Sequence, residues 1–224
     1  MPKFDRELIP AAPDLSFEIS LWHQGFSVAG LDEAGRGAWA GPVAAAVVIL
    51  PKNTRIVSRL TGVRDSKQLK PAERARLAEI IQAETTYATG MASSLEIDEL
   101  GIISATRLAM MRALAALSVI PGHLLLDALF LPDEPLPQTS LIKGDQRSLS
   151  IAAASILAKT ARDSWMMNAA LKYSIYGFER HKGYGTRLHQ QMLFDFGPCP
   201  LHRKTFEPIR LITNKNPGVF TPGR

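Results

Sequence analysis

The sequence has little of what several protein classes need. A single cysteine, Cys199, occurs among 224 residues, which excludes an internal disulfide and a cysteine-based zinc site. Long hydrophobic runs are missing. The longest uninterrupted apolar stretch, Val43 to Leu50, falls well short of the ~20 residues that cross a bilayer as a helix. The opening MPKFDRELIPAAPD carries acids and prolines and no apolar segment. No secretory signal peptide is therefore expected, and the expected location is cytoplasmic with no membrane partner. No internal repeat is visible. The glycine-rich GRGAWAG, starting at Gly35, is not a Walker loop, since no Gly-Lys-Ser/Thr follows. Nor does it fit GxGxxG, because its third glycine comes one position late and a strand pattern follows.

What is present suits one sizeable domain: 46% of the residues are hydrophobic. Residues 1–17 read as a flexible lead-in, 18–175 as the core, 176–212 as a C-terminal helical and loop extension, and 213–224 as a mobile Gly/Pro tail. Strand patterns run from Phe26 to Leu31, Val43 to Leu50, Thr85 to Ala92, His123 to Leu126 and Thr139 to Ile142. Helix patterns run from Ala72 to Ala83 behind Pro71, from Ile97 to Leu117 with Gly101 weakening its first turns, and from Ile151 to about Lys172 with Ser150 as the expected cap. This order points to an α/β fold, a mixed sheet with helices on its faces. The net charge is +5, unevenly spread. From Lys143 onward there are 13 Lys and Arg against 5 Asp and Glu, and before it 13 against 16. A basic C-terminal third suits a polyanion, although a solvated basic surface explains it equally well.

Asp32 and Asp127 each follow a short apolar run and precede a break. Asp145 sits just past another strand pattern. A carboxylate in a core is costly unless paired or coordinated, and strand ends allow these three to converge at one sheet edge. Converging acids need a cation among them, and hard divalent cations such as Mg²⁺ are held by such oxygens; two ions together can cleave a phosphodiester. The plain alternative is that each acid pairs with a basic neighbour or faces solvent. Glu33 poses a difficulty, since in a straight strand it points away from Asp32; it joins the cluster only if the strand ends or bulges there. Asp163, some 20 Å along its helix from Ser150, is expected instead to pair with Arg162, Lys159 or a neighbouring element. Gly35, Arg36 and Gly37 allow close backbone approach to a phosphate or sugar. Ser66, Lys67, Lys143 and Lys182 offer phosphate contacts, and Tyr184, flanked by glycines, offers a stacking ring. His202-Arg203-Lys204 reads as added surface charge.

Six blocks now stand together: AGLDEAGRGAWAGPV, RDSKQL, LLLDA, KGDQRSLSIAAASILAKTARD, YGFERHKGYGT and HRKTFEP. Their content and order, from about Gly30 to Pro208, resemble bacterial ribonuclease HII, the type 2 ribonuclease H. The resemblance implies a ribonuclease H-like fold with a five-stranded mixed sheet flanked by helices and a C-terminal helical segment. It implies an endonuclease acting on RNA–DNA hybrids and nicking duplex DNA 5′ of an embedded ribonucleotide, leaving 3′-hydroxyl and 5′-phosphate ends. Mn²⁺ or Mg²⁺ is the implied cofactor, with two ions when substrate is bound. The family's four acids carry over to Asp32, Glu33, Asp127 and Asp145, its junction-reading Gly-Arg-Gly to Gly35, Arg36 and Gly37, and its junction tyrosine to Tyr184. Two positions depart from the family pattern: Ala38-Trp39 replaces Pro-Leu, and Ala128 replaces the glycine after the third acid. A monomer is the simplest expectation. The residues alone leave two rivals open, a junction resolvase of the same architecture and a non-catalytic nucleic-acid-binding protein.

Overall fold

The computed structural model describes Asp5 and residues 9–215. The strands are β1 Val28–Ala34, β2 Val43–Ile49, β3 Thr86–Ala92, β4 His123–Asp127 and β5 Gln138–Leu141. The helices are α1 Ser16–His23, α2 Ile56–Arg59, α3 Pro71–Glu84, α4 Ser94–Ala115, α5 Leu149–Lys172, α6 Phe178–His181, α7 Arg187–Phe196 and α8 Ile209–Lys215. The sheet order is β3-β2-β1-β4-β5. β2 runs antiparallel to both β1 and β3, whereas β4 lies parallel to β1 and β5 parallel to β4. This is the expected five-stranded mixed sheet of the ribonuclease H-like fold, followed by helical turns from Phe178 onward.

Strand alternation divides the core in two. Leu31, Val43, Ala45 and Val47 pack with Ala105, Ala109 and Met110 of α4. Ala34, Ala46 and Val48 face the other way and pack with Leu77 and Ile81 of α3 and with Ala153, Ile156 and Leu157 of α5. The alanine-rich start of α5 lets it come very close to β1. A Cβ on Gly30 would lie 2.3 Å from the Ser150 carbonyl carbon, so glycine is required there by the helix itself.

Several boundaries differ from the sequence reading, each for a physical reason. β1 does not stop at Leu31. It continues through Ala34 in regular register, Asp32 opposite Ala46 and Glu33 opposite Ala45, because β2 supplies partners along its whole length. The cap of α5 is Ser148, whose Oγ accepts the Ile151 N–H at 3.3 Å. Ser150, expected to be the cap, instead donates its N–H (2.9 Å) and its hydroxyl (2.6 Å) to the buried Glu18 carboxylate. That carboxylate also receives the Ser148 hydroxyl at 2.6 Å, which fastens α1 to the start of α5. The expected lead-in therefore ends early: Leu15 is in the core and Asp14 bridges to Ser148. α4 begins three residues sooner than expected because Ser93 and Glu96 form a capping box. Gly101, with φ of 76°, kinks that helix. α8 takes in the first three residues of the expected tail, and the rest of that tail lies outside the described residues. No helix among the described residues is long and apolar enough to cross a membrane.

The close packing of α5 on β1 sets an expectation. Gly30→Ala should lower the free energy of unfolding by about 1–3 kcal/mol, read from urea denaturation. Unchanged stability would contradict the contact.

Candidate active site

β1 and β4 carry two of the acids to one place. Their parallel register pairs Gly30 with Leu125 and Leu31 with Leu126, so Asp32 and Asp127 follow side by side. Both share the parity of Gly30 and Leu125, the face covered by α5. Asp145 arrives from the single turn Gly144–Gln146, which immediately precedes α5. One carboxylate oxygen from each of Asp32, Asp127 and Asp145 lies within 4.8 Å of the others. Asp32 is 3% exposed and Asp145 5%, so water screens this repulsion poorly.

Very little compensates it. Asp32 accepts the Glu33 N–H at 2.7 Å, and Asp127 accepts the Gly144 N–H at 2.7 Å. None of the three is in an ion pair among the described residues. Burial, then the charges of Glu33, Asp127 and Asp145, holds the Asp32 carboxyl well above the usual carboxylate range. Burial, with the charges of Asp127 and Asp65, pushes Asp145 up to about 6. Burial also raises Asp127, against the Gly144 hydrogen bond and the Lys67 charge. For Lys67, burial opposes its charge, but Asp65, Asp32, Asp145 and Glu33 outweigh it and raise its pKa.

The difficulty seen for Glu33 is real. Without a bulge in β1, its side chain takes the opposite parity from Asp32, and it is not one of the three converging acids. Its Oε1 meets Arg36 at 3.3 Å. Its Oε2 is buried with no hydrogen-bond partner. Burial raises its pKa against the pull of Arg36, and Asp127 raises it further. Three converging hard oxygen donors, with a fourth orphaned oxygen beside them, fit a divalent cation.

The glycine turn and the tyrosine segment are also brought together. The Trp39 N–H donates to the Gly183 carbonyl at 2.8 Å. Gly35, at φ of 95°, is buried against Arg162, whose Nε would lie 1.9 Å from a Cβ there. Gly37 is exposed, with open space where a side chain would be. Tyr184 is half-buried, with Lys159 Nζ and Arg162 Cζ each 5.2 Å from its ring centre. Lys143 and Lys182 take left-handed conformations; the Lys182 ammonium donates to the Glu179 carbonyl. Ser66, expected among the nucleic-acid contacts, is 4% exposed and its hydroxyl bonds Ser155 at 2.8 Å. Its side chain anchors the Lys67 turn to α5 rather than reaching outward. Ala128, where the family pattern has glycine, adopts φ of 50°, a conformation that costs an L-residue about 1–2 kcal/mol. Asp163 behaves as expected, pairing with Lys159 at 2.7 Å and Arg74 at 3.2 Å.

Sequence reasoning missed three features. Asp65 is buried, caps the Ser66–Gln68 turn and adds its charge to the acids. His181, His189 and His202 form a buried cluster. Cys199 N–H donates to His202 Nδ1 at 2.8 Å, which leaves the His202 proton on Nε2, facing His189 Nε2 at 2.9 Å. His189 Nδ1 in turn donates to the Tyr184 carbonyl at 3.1 Å. Burial pushes His189 down to about 4 and His202 to about 3. His202 and Arg203, read as surface charge, are both buried. Their only signal in the sequence is a histidine-arginine pair in a segment with little apolar pattern.

The family model described as Ribonuclease HII matches residues 29–209. The Ribonuclease HII of Chloroflexus aurantiacus is 51% identical over 200 residues, 88% of this chain and 94% of that protein. The Ribonuclease HII of Synechococcus sp. is 52% identical, covering 88% and 90%. Among solved structures, the ribonuclease H2 from Pyrococcus horikoshii superposes with a TM-score of 0.71 at 27% identity, covering 86% of this chain and 99% of that one. Bst-RNase HIII in complex with Mn²⁺ shares the fold, with a TM-score of 0.66 at 20% identity, covering 84% and 70%. Matched along most of its length, with Asp32, Asp127 and Asp145 of the matched blocks gathered on two central strands and the turn before α5, this chain belongs to the ribonuclease HII family and is an endoribonuclease.

Proposed function

We propose that this ribonuclease hydrolyses the RNA strand of RNA–DNA hybrids and nicks duplex DNA 5′ of an embedded ribonucleotide, leaving 3′-hydroxyl and 5′-phosphate ends. The observation that carries the metal-dependent part is the convergence of Asp32, Asp127 and Asp145 with no compensating ion pair among the described residues. Asp32, Asp127 and Asp145 would hold the cation, with the orphaned Oε2 of Glu33 available as a further donor. Bound divalent ions, two with substrate present, supply an activated water and stabilise the departing oxygen. Mn²⁺ and Mg²⁺ both suit these donors. Lys67 lies in the field of the acids and would meet a phosphate delivered to them. Arg36 and the N–H groups of Gly35 to Gly37 would read the ribose, whose 2′-hydroxyl distinguishes RNA from DNA. Tyr184 would stack at the junction, and Lys143 and Lys182 would contact the backbone. The protein would act as a cytoplasmic monomer.

The test is nicking of a DNA duplex carrying one ribonucleotide, with and without Mn²⁺ or Mg²⁺, mapped to the nucleotide. A metal-dependent cut 5′ of the ribonucleotide is expected. Cleavage of a four-way junction in preference would instead favour a resolvase.

Asp127→Asn keeps the oxygen that accepts the Gly144 N–H and removes a metal-facing charge. The rate should fall by roughly 100-fold or more, with the circular dichroism spectrum unchanged. Near-normal cleavage would remove Asp127 from the site.

The pKa of Asp145 is raised to about 6 from 3.8 in the folded protein. Its contribution to stability is therefore complete below about pH 4 and lost as pH rises through about 6. In EDTA, Asp145→Asn should stabilise the fold at pH 8 by on the order of 1–3 kcal/mol. In Mn²⁺ the same variant should gain less from the metal than the wild type does. Thermal unfolding in both buffers checks this, and an Asp145→Asn variant destabilised in EDTA would contradict the repulsion.

A further inference from the structure

Two arginines, Arg162 and Arg203, are each 0% exposed. Neither forms an ion pair with a carboxylate among the described residues. Buried charges of this kind need strong compensation, and here it comes from backbone carbonyls of the glycine turn. Arg203 donates from Nε to the Gly41 carbonyl at 3.0 Å, from Nη1 to that of Arg36 at 2.8 Å, and from Nη2 to those of Gly35 at 2.8 Å and Pro42 at 3.1 Å. Arg162 donates to the carbonyls of Pro42 at 2.8 Å, Ala40 at 3.0 Å and Lys182 at 2.9 Å. Its guanidinium also lies over the Tyr184 ring.

The turn is thus polarised. Its carbonyl oxygens point inward to two cations. The N–H groups of Arg36 and Gly37 are taken up by no acceptor among the described residues, and Gly37 is exposed. A peptide plane whose oxygen is held on one side presents its N–H to the other. The same two guanidinium charges, poorly screened by their burial, favour oxygen-rich groups at that outer side. Lysine could not substitute, because one nitrogen cannot span carbonyls that the planar fork meets in several directions.

We propose that Arg203 and Arg162 are positioning residues for substrate reading: Arg203, by taking the carbonyl oxygens of Gly35 and Arg36, aims the N–H groups of Arg36 and Gly37 at the ribose, and Arg162, by taking those of Ala40 and Pro42, holds the following part of the turn in place. The proposal rests on the reading of the Gly35–Gly37 turn given above. It extends that reading to residues 125 or more positions away in the chain, neither of which touches substrate. Arg162 has a second task, since its bond to the Lys182 carbonyl fixes the tyrosine segment relative to the turn.

The test uses Arg203→Lys and Arg162→Lys. Binding of a DNA duplex with one ribonucleotide and of an all-DNA duplex is measured in EDTA by fluorescence anisotropy, and Mn²⁺ binding is titrated without nucleic acid. In the wild type, the ribonucleotide duplex should bind more tightly and should shift the Arg36 and Gly37 amide resonances. In each lysine variant that preference should shrink by roughly tenfold, the loss of about one oriented hydrogen bond, while Mn²⁺ affinity stays within about twofold of the wild type, because neither arginine touches the acids. A folded variant that keeps the full preference overturns the proposal. So does a parallel loss of Mn²⁺ affinity, or failure of both variants to fold, since either outcome makes the arginines general supports of the structure. Absence of any preference in the wild type would instead overturn the reading of the turn, and the positioning role with it.

Discussion

The rest of this molecule is arranged around a repulsion. Asp32, Asp127 and Asp145 are held within reach of one another in a poorly hydrated site, and no lysine or arginine among the described residues forms an ion pair with them. Asp163 shows that the fold readily neutralises an acid, for it is given both Arg74 and Lys159. The three acids could not hold this arrangement on flexible loops. Two of them stand on adjacent parallel strands whose register is locked by the core on both faces, and the third lies at the start of a 24-residue helix fastened to β1 and α1. Gly30, the small side chains of α5 and the buried Glu18 carboxylate all serve that closeness.

A complementary arrangement lies beside it. There the buried charges are positive, and backbone carbonyls rather than carboxylates compensate them. Carboxylate oxygens converge on the space where a cation fits, whereas the glycine turn leaves the N–H groups of Arg36 and Gly37 without an acceptor among the described residues. In the function proposed above, the two halves would divide the work of an endoribonuclease: one would activate a phosphate, the other recognise what is attached to it. The buried histidines extend the second half. Their hydrogen-bond chain runs from Cys199 to the Tyr184 carbonyl, so the C-terminal segment supports the tyrosine from behind.

Much of this was legible in the sequence where local pattern and chemistry coincide. An apolar run ending in Asp127 announced a strand end carrying an acid, and the apolar run before Asp32 announced the strand that carries it. The helical distance from Ser150 sufficed to exclude Asp163. What could not be read depends on partners distant in the chain. The length of β1 is set by β2, so the opposite facing of Asp32 and Glu33 was visible only as a difficulty. The roles of Ser66, Ser150, Arg162 and Arg203 depend on what packs against them, and neither periodicity nor composition encodes that. Arg203 in particular sits between histidine and lysine, where charge counting places it on the surface; the fold instead buries it beneath the turn.

The most direct test of the central claim is the anomalous diffraction signal of a crystal soaked in Mn²⁺. The account predicts a manganese peak within bonding distance of oxygens from Asp32, Asp127 and Asp145 together. A peak at any other cluster, or no peak between these three side chains at saturating Mn²⁺, would contradict it.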